Sequence, residues 1–138
     1  MTSNRSGFRG YIASRPVRGT TTPQHVQNLV IRDYAARNKL TYLLSATELS
    51  VPGCFMVMED VLAELPSIEG MICYSLFMLP GGDAARRRLY ERVLDSGAEL
   101  HAALESLKIA SESDVRRIED IWTIERLLPR CLPPSALA

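Results

Sequence analysis

An arginine and a serine close a short apolar run, Gly10-Tyr11-Ile12-Ala13-Ser14-Arg15-Pro16. Gly19, three threonines and Pro23 follow, and then a helical pattern begins. A guanidinium in that place suits a phosphate or carboxylate, which it can grip through two parallel N–H bonds. Strand, polar turn and helix N-terminus is also the layout in which α/β proteins hold anions, because free helix N–H groups and the macrodipole favour negative charge.

The later apolar runs end in polar residues as well: Thr47-Glu48, Ser75 and Glu105. In an open parallel sheet such ends share one rim, where ligands bind. Glu48 is the candidate general base, Glu105 its partner or the counter-charge to Arg15, and Ser14 a nucleophile or hydrogen bonder. His25, in the first turn of the first helix, is a second candidate proton carrier. Arg15, Gln24, Gln27, Asn28 and Ser75 are the candidate substrate-binding residues. His101 lies inside a strand pattern and reads as a satisfied core histidine.

The motifs that are missing exclude other chemistries. There is no HxH or HExxH, no Walker loop, no GxGxxG after a strand and no GxSxG. No metal site and no cofactor is therefore expected, and nucleotide triphosphatases, zinc hydrolases, α/β-hydrolases and ordinary nicotinamide enzymes are not first choices.

Four strand–helix units can position these residues. The strands are expected at Gly10–Ser14, Leu40–Ala46 (buried on both faces), Gly70–Leu76 and Glu99–Leu104. Thr22-Pro23 supplies an N-cap and a first-turn proline to helix one, which should stop near Asn38. Phe55, Met58, Val61, Leu62 and Leu65 make the stripe of helix two, ended by Pro66-Ser67. Asp83 should cap helix three, with Gly97 past its end. Ser111 and Asp114 resemble a capping box at the start of a last amphipathic helix that should end at Leu128, before Pro129. Arg86-Arg87-Arg88 reads as an exposed helix face, and Tyr34 and Trp122 as core or subunit-interface residues. Alternation of strands and helices implies parallel pairing. The expected fold is α/β: an open, mostly parallel sheet of about four strands with helices on both faces, plus the C-terminal helix.

The 138 residues suit one domain over 10–128, with a flexible lead-in at 1–9 and a loose tail at 129–138. A formal net charge of zero argues against a dedicated nucleic-acid binder. Three cysteines without CxxC spacing fit a reducing cytoplasm. No apolar run is long enough to span a membrane, and Met1 to Arg9 lacks the apolar core of a signal peptide.

Between Gly10 and Ser113 the chain resembles the catalytic domain of serine recombinases (resolvases and invertases). The opening strand Gly10 to Arg15, the Gln27-led helix, Glu48 with Ser50 and Gly53, and Tyr74-Ser75-Leu76 carry that likeness. It implies a resolvase-like three-layer fold. The family's Asp-Arg-Leu-x-Arg motif is replaced by Phe77-Met78-Leu79-Pro80-Gly81, so the two phosphate-binding arginines are missing and strand exchange is not expected. The chain more closely resembles the small sporadic carbohydrate cluster family, through Gly10 to Pro16, Pro23 to Tyr34 and Leu43 to Glu48. That resemblance implies a setting in surface-polysaccharide or specialised-metabolite biosynthesis.

Two functions are expected from this reading. One is an enzyme on a small anionic sugar or related metabolite, of isomerase, epimerase or lyase type. The other is a non-catalytic, homo-oligomeric partner or scaffold for a pathway enzyme, using the apolar face between Val115 and Leu128.

Overall fold

The computed structural model describes residues 5–17, 19–48 and 54–131, and the side chains as far as 127. The elements, in chain order, are β1 (Phe8–Ala13), α1 (Gln24–Arg37), β2 (Tyr42–Glu48), α2 (Met56–Glu64), β3 (Gly70–Cys73), α3 (Asp83–Asp95), β4 (Glu99–Ala102), β5 (Leu107–Ile109) and α4 (Glu112–Cys131). Single-turn helices lie at Leu65–Ser67 and Leu76–Met78. This is the expected α/β architecture. The sheet order is β2-β1-β3-β4-β5. All neighbours are parallel except β4 and β5.

The sheet has five strands where four were expected. The added strand, β5, is three residues long and follows β4 through a tight turn in which Ser106 takes φ 56°. So brief a run, Leu107-Lys108-Ile109, has too little alternation to stand out in a sequence. Its consequence is that Glu105 lies in a hairpin turn rather than at a strand–helix junction.

β1 and β3 are interior strands. Phe8, Tyr11, Ile12, Met71, Ile72 and Cys73 are all buried. β2 is an edge strand, with Leu44 79% exposed, and not the doubly buried strand its apolar run suggests. At Gly70, where the central strand β3 begins, there is no room for a side chain: a Cβ would lie 2.1 Å from the Glu99 carbonyl oxygen.

Phe8 and Tyr34 pack edge-on against His101, which places α1 over one face of the sheet. On the other face, Arg9 donates to Glu64 of α2, while Val115 and Ile118 bury the first turns of α4. Helices therefore cover both faces. Tyr34 is buried, and Trp122 packs at the edge of the core against Phe77.

Several boundaries differ from expectation. Pro23, not Thr22, is the N-cap of α1. Asp83 is the first residue of α3, after Gly82, and caps nothing. Helix α4 continues past Pro129 to Cys131, and Phe8 and Arg9 belong to β1 rather than to a lead-in. Gly97 ends α3 with φ 72°, as expected. Ser111 Oγ accepts from the Asp114 N–H, while the Asp114 carboxylate accepts from the Ala110 N–H. Residues 1–4, 18, 49–53 and 132–138, and with them most of the expected lead-in and tail, lie outside the described residues.

The arginine run is resolved by helix geometry. Each step along α3 turns the side chain by about 100°, so three neighbours point three ways. Arg86 is not on an exposed face: it is 0% exposed. It donates twice to Glu119 of α4, to Asp83, and to the Pro80 and Gly81 carbonyls. Its guanidinium lies over the Trp122 ring, 4.1 Å from the centroid. Burial alone pulls its proton affinity down, but Glu119 and then Asp83 outweigh that, and the net shift is upward. The pair locks α3 to α4. Arg87 reaches Glu112 instead.

Candidate functional site

The strand ends do converge on one rim. Tyr11 of β1 donates its hydroxyl to Glu48 Oε1 at 2.7 Å and accepts from Arg15 Nη2 at 3.3 Å. Arg15 and Glu48 therefore share a neighbour. Burial, followed by the Glu48 hydrogen bond, raises the Tyr11 pKa, so the phenol stays neutral.

Glu48, however, is not an accessible base. It is 1% exposed. Besides Tyr11, it accepts from the Val57 and Met58 N–H groups at 2.9 and 3.0 Å and faces the Cys54 thiol. Phe55 precedes α2 and has no side-chain oxygen to cap it. Glu48 supplies that cap from the neighbouring strand, and its charge meets the positive end of the helix dipole. The anion that this helix N-terminus holds is the protein's own.

Arg15 is also engaged. It donates to the Cys54 and Met78 carbonyls at 3.3 and 3.1 Å, and its guanidinium lies 4.6 Å above the Phe55 ring. These bonds tie the end of β1 to the start of α2 and to the turn after β3. No carboxylate pairs with it directly among the described residues.

The first-helix residues part company. Gln27 is buried and exchanges two bonds with the Ala13 main chain, while also donating to the Thr22 carbonyl. Both its N–H groups are used, so it closes the β1–α1 loop rather than meeting a ligand. Asn28 accepts from Ser45 Oγ at 2.6 Å and holds β2 under α1. Gln24 and His25 are exposed on the first turn of α1, and Ser14 is half-buried after β1. His101 is a core histidine, as expected: Tyr34 OH meets its Nδ1 and Glu99 its Nε2.

The two remaining predicted residues, Ser75 and Glu105, line a cavity. Ser75 Oγ donates to Glu105 Oε2 at 2.7 Å, and the Leu76 N–H donates to Oε1 at 2.8 Å. Ser75 also accepts from the Phe77 N–H. Ser75 is thus the cap of the Leu76–Met78 turn and the group that orients Glu105. Beside them is a pocket of about 400 Å³, lined by Glu105, Ser75, Tyr74, Thr22, Thr20 and the apolar Val17 and Leu104. The Thr22 and Tyr74 hydroxyls lie 3.5 Å apart. Val17 and Thr20, both on the pocket wall, exchange two main-chain bonds within the β1–α1 connection.

Sequence reasoning missed Tyr74, Thr20 and Thr22. Tyr74 sits in an apolar run, Thr20 stands in the connection before the first helix, and Thr22 reads as a helix N-cap. Their signal was position alone: all follow a strand on the rim that α/β sheets use for ligands. Among the described residues no cluster of three His, Cys, Asp or Glu side chains could hold a metal. No helix among them is long and apolar enough to cross a membrane.

The chain is similar in fold to a resolvase family site-specific recombinase from Streptococcus pneumoniae, with a TM-score of 0.62 and 13% identity over 90% of this chain and 91% of that one. It is also similar to the N-terminal catalytic domain of TP901-1 integrase, with a TM-score of 0.54 and 14% identity over 88% of this chain and 96% of that one. No family model matches the sequence, nor does any curated protein. The resolvase-like fold is therefore established by structure. At the two positions aligned above with the motif's arginines stand Met78, which is buried, and Gly81, which is exposed, while Phe77 packs on Trp122.

Proposed function

We propose that the pocket beside Glu105 binds a small polyhydroxylated metabolite, and that Glu105 exchanges a proton with it in a reaction of isomerase, epimerase or lyase type. One observation carries this reading: a carboxylate fixed by two donors, Ser75 Oγ and the Leu76 N–H, on the wall of a cavity whose other polar groups are hydroxyls. A carboxylate oxygen has capacity for more than one hydrogen bond, so both remain able to accept from a ligand. Fixing the carboxylate by two bonds holds it in one geometry, which proton transfer requires. The Thr22 and Tyr74 hydroxyls can give and take hydrogen bonds with sugar hydroxyls. A second negative charge beside Glu105 would be repelled. An anionic group on the substrate therefore belongs on the Arg15 side of the Leu76–Met78 turn. The resemblance of Gly10–Pro16, Pro23–Tyr34 and Leu43–Glu48 to the sporadic carbohydrate cluster family supports a carbohydrate or specialised-metabolite setting, and three cysteines without CxxC spacing fit a reducing cytoplasm.

The test is proton exchange. Sugar phosphates, hexuronates and neutral ketoses are incubated with the protein in deuterated water, and deuterium wash-in beside the carbonyl is followed by NMR. Wild type should exchange at least one of them, and Glu105→Gln should slow that exchange about a hundredfold or more while still binding. Undiminished exchange in Glu105→Gln, or no exchange by wild type, overturns the reading.

A second reading has its own observation. Ile124 and Leu127 of α4 are exposed, beyond the half-buried Ile121 and Trp122. Such a row fits a homo-oligomer that partners or scaffolds a pathway enzyme. Stoichiometric co-purification of that enzyme, with no small-molecule binding, favours it.

A further inference from the structure

A larger cavity lies away from Glu105, in the groove between α2 and α3. Its volume is about 580 Å³, within the range of small-molecule sites. Ala85, Arg88, Leu89 and Arg92 recur at helical spacing, so α3 turns one face toward it. From α2 come Met58, Leu62 and Glu59. Met58, Leu62 and Leu89 belong to the buried core, and they make the floor apolar. The end wall is Pro80-Gly81-Gly82, where a Cβ on either glycine would meet nothing within 4 Å. That wall borders open space.

The charges are unbalanced. Arg92 pairs with Glu59. Arg88 has no ion-pair partner among the described residues, whereas its neighbours in the run are paired, Arg86 with Asp83 and Glu119 and Arg87 with Glu112. Two guanidiniums against one carboxylate leave the groove with one positive charge over an apolar floor. A neutral lipid would leave that charge unused, and a cation would be repelled by it.

We propose that the α2–α3 groove binds an amphiphilic monoanion, an acyl or aryl body ending in a carboxylate, phosphodiester or sulfonate. The body lies on Met58, Leu62 and Leu89, and the acidic group pairs with Arg88. The groove shares no lining residue with the Glu105 pocket, so this assignment stands or falls without that reading.

The test uses the fluorescent probe anilinonaphthalenesulfonate, which has an aryl body and one sulfonate. It should bind the folded protein and be displaced by decanoate, but not at the same concentration by decanol or decylamine. Arg88 is exposed, so Arg88→Gln keeps the fold, which circular dichroism checks, and should weaken decanoate about tenfold by removing the charge-assisted bond. Ala85→Leu, placed on the same helix face, should weaken probe and decanoate together. Equal displacement by decanol and decanoate, or unchanged affinity in Arg88→Gln, overturns the assignment. So does a dimer in sedimentation that Arg88→Gln or Ala85→Leu splits, because the occupant would then be a second copy of the chain.

Discussion

Glu48→Gln is the substitution that best separates a rim base from a structural anion. The side chains have nearly the same shape, so the change removes a charge and turns one acceptor into a donor. In the native protein Glu48 Oε1 serves Tyr11 OH and the Met58 N–H, and Oε2 serves the Val57 N–H. Whichever way the new amide is turned, its NH₂ faces a main-chain N–H of the first turn of α2. One buried donor is left unpaired, at a cost of about 1–3 kcal/mol. The remaining bonds lose charge assistance, and the helix dipole loses its anion, together worth roughly another 1–2 kcal/mol. A total near 3 kcal/mol follows. With a urea slope of about 1.5 kcal/mol per molar, the midpoint should fall by roughly 2 M. Equilibrium urea unfolding followed by far-ultraviolet circular dichroism measures it. Tyr11→Phe should destabilise less and couple to Glu48→Gln by about 1 kcal/mol in a double-mutant cycle. A Glu48→Gln midpoint within about 0.3 M of wild type, at unchanged slope, would refute the capping role.

Arg86→Met should cost about 3 kcal/mol, the low end for breaking a buried pair, because Glu119 is one-third exposed and can rehydrate; thermal unfolding measures it, and a loss under 1 kcal/mol would count against the clamp. The His101 pKa lies below its ordinary value because burial disfavours the imidazolium, an effect that nearby Lys108 adds to and Glu99 partly opposes. The unfolded chain then takes up a proton first as pH falls below about 6.5, so stability that is full above that value declines on acidification. The depressed carboxylates, Glu64, Asp83, Asp114 and Glu119, lose their contribution only as pH falls through their own lower folded values. Urea midpoints measured between pH 7.5 and 5 should therefore decline in wild type and flatten in His101→Asn; an equal slope in both would exclude His101 as the source.

Much of the fold was legible in the sequence, and the reason is local. Val61, Leu62 and Leu65 recur at helical spacing, Pro66 and Gly97 stop helices by backbone chemistry, and runs such as Met71-Ile72-Cys73 have no partner but a sheet interior. The residues on the carboxyl rim were legible too, because topology sends every parallel strand's end to the same side. What a sequence does not carry is which of those polar groups the fold uses for itself. Glu48 and Gln27 looked like free chemistry, yet one caps a helix from the next strand and the other closes a loop, contacts that exist only once β2, α2 and α1 have packed. Arg86 looked like surface and is the most deeply buried cation described, because Glu119, 33 residues further on, arrives beside it. Glu105 gained its place through β5, a strand too short to announce itself. Local preference chose the elements; desolvation and long-range pairing chose which charges were spent on the fold and which were left facing a cavity.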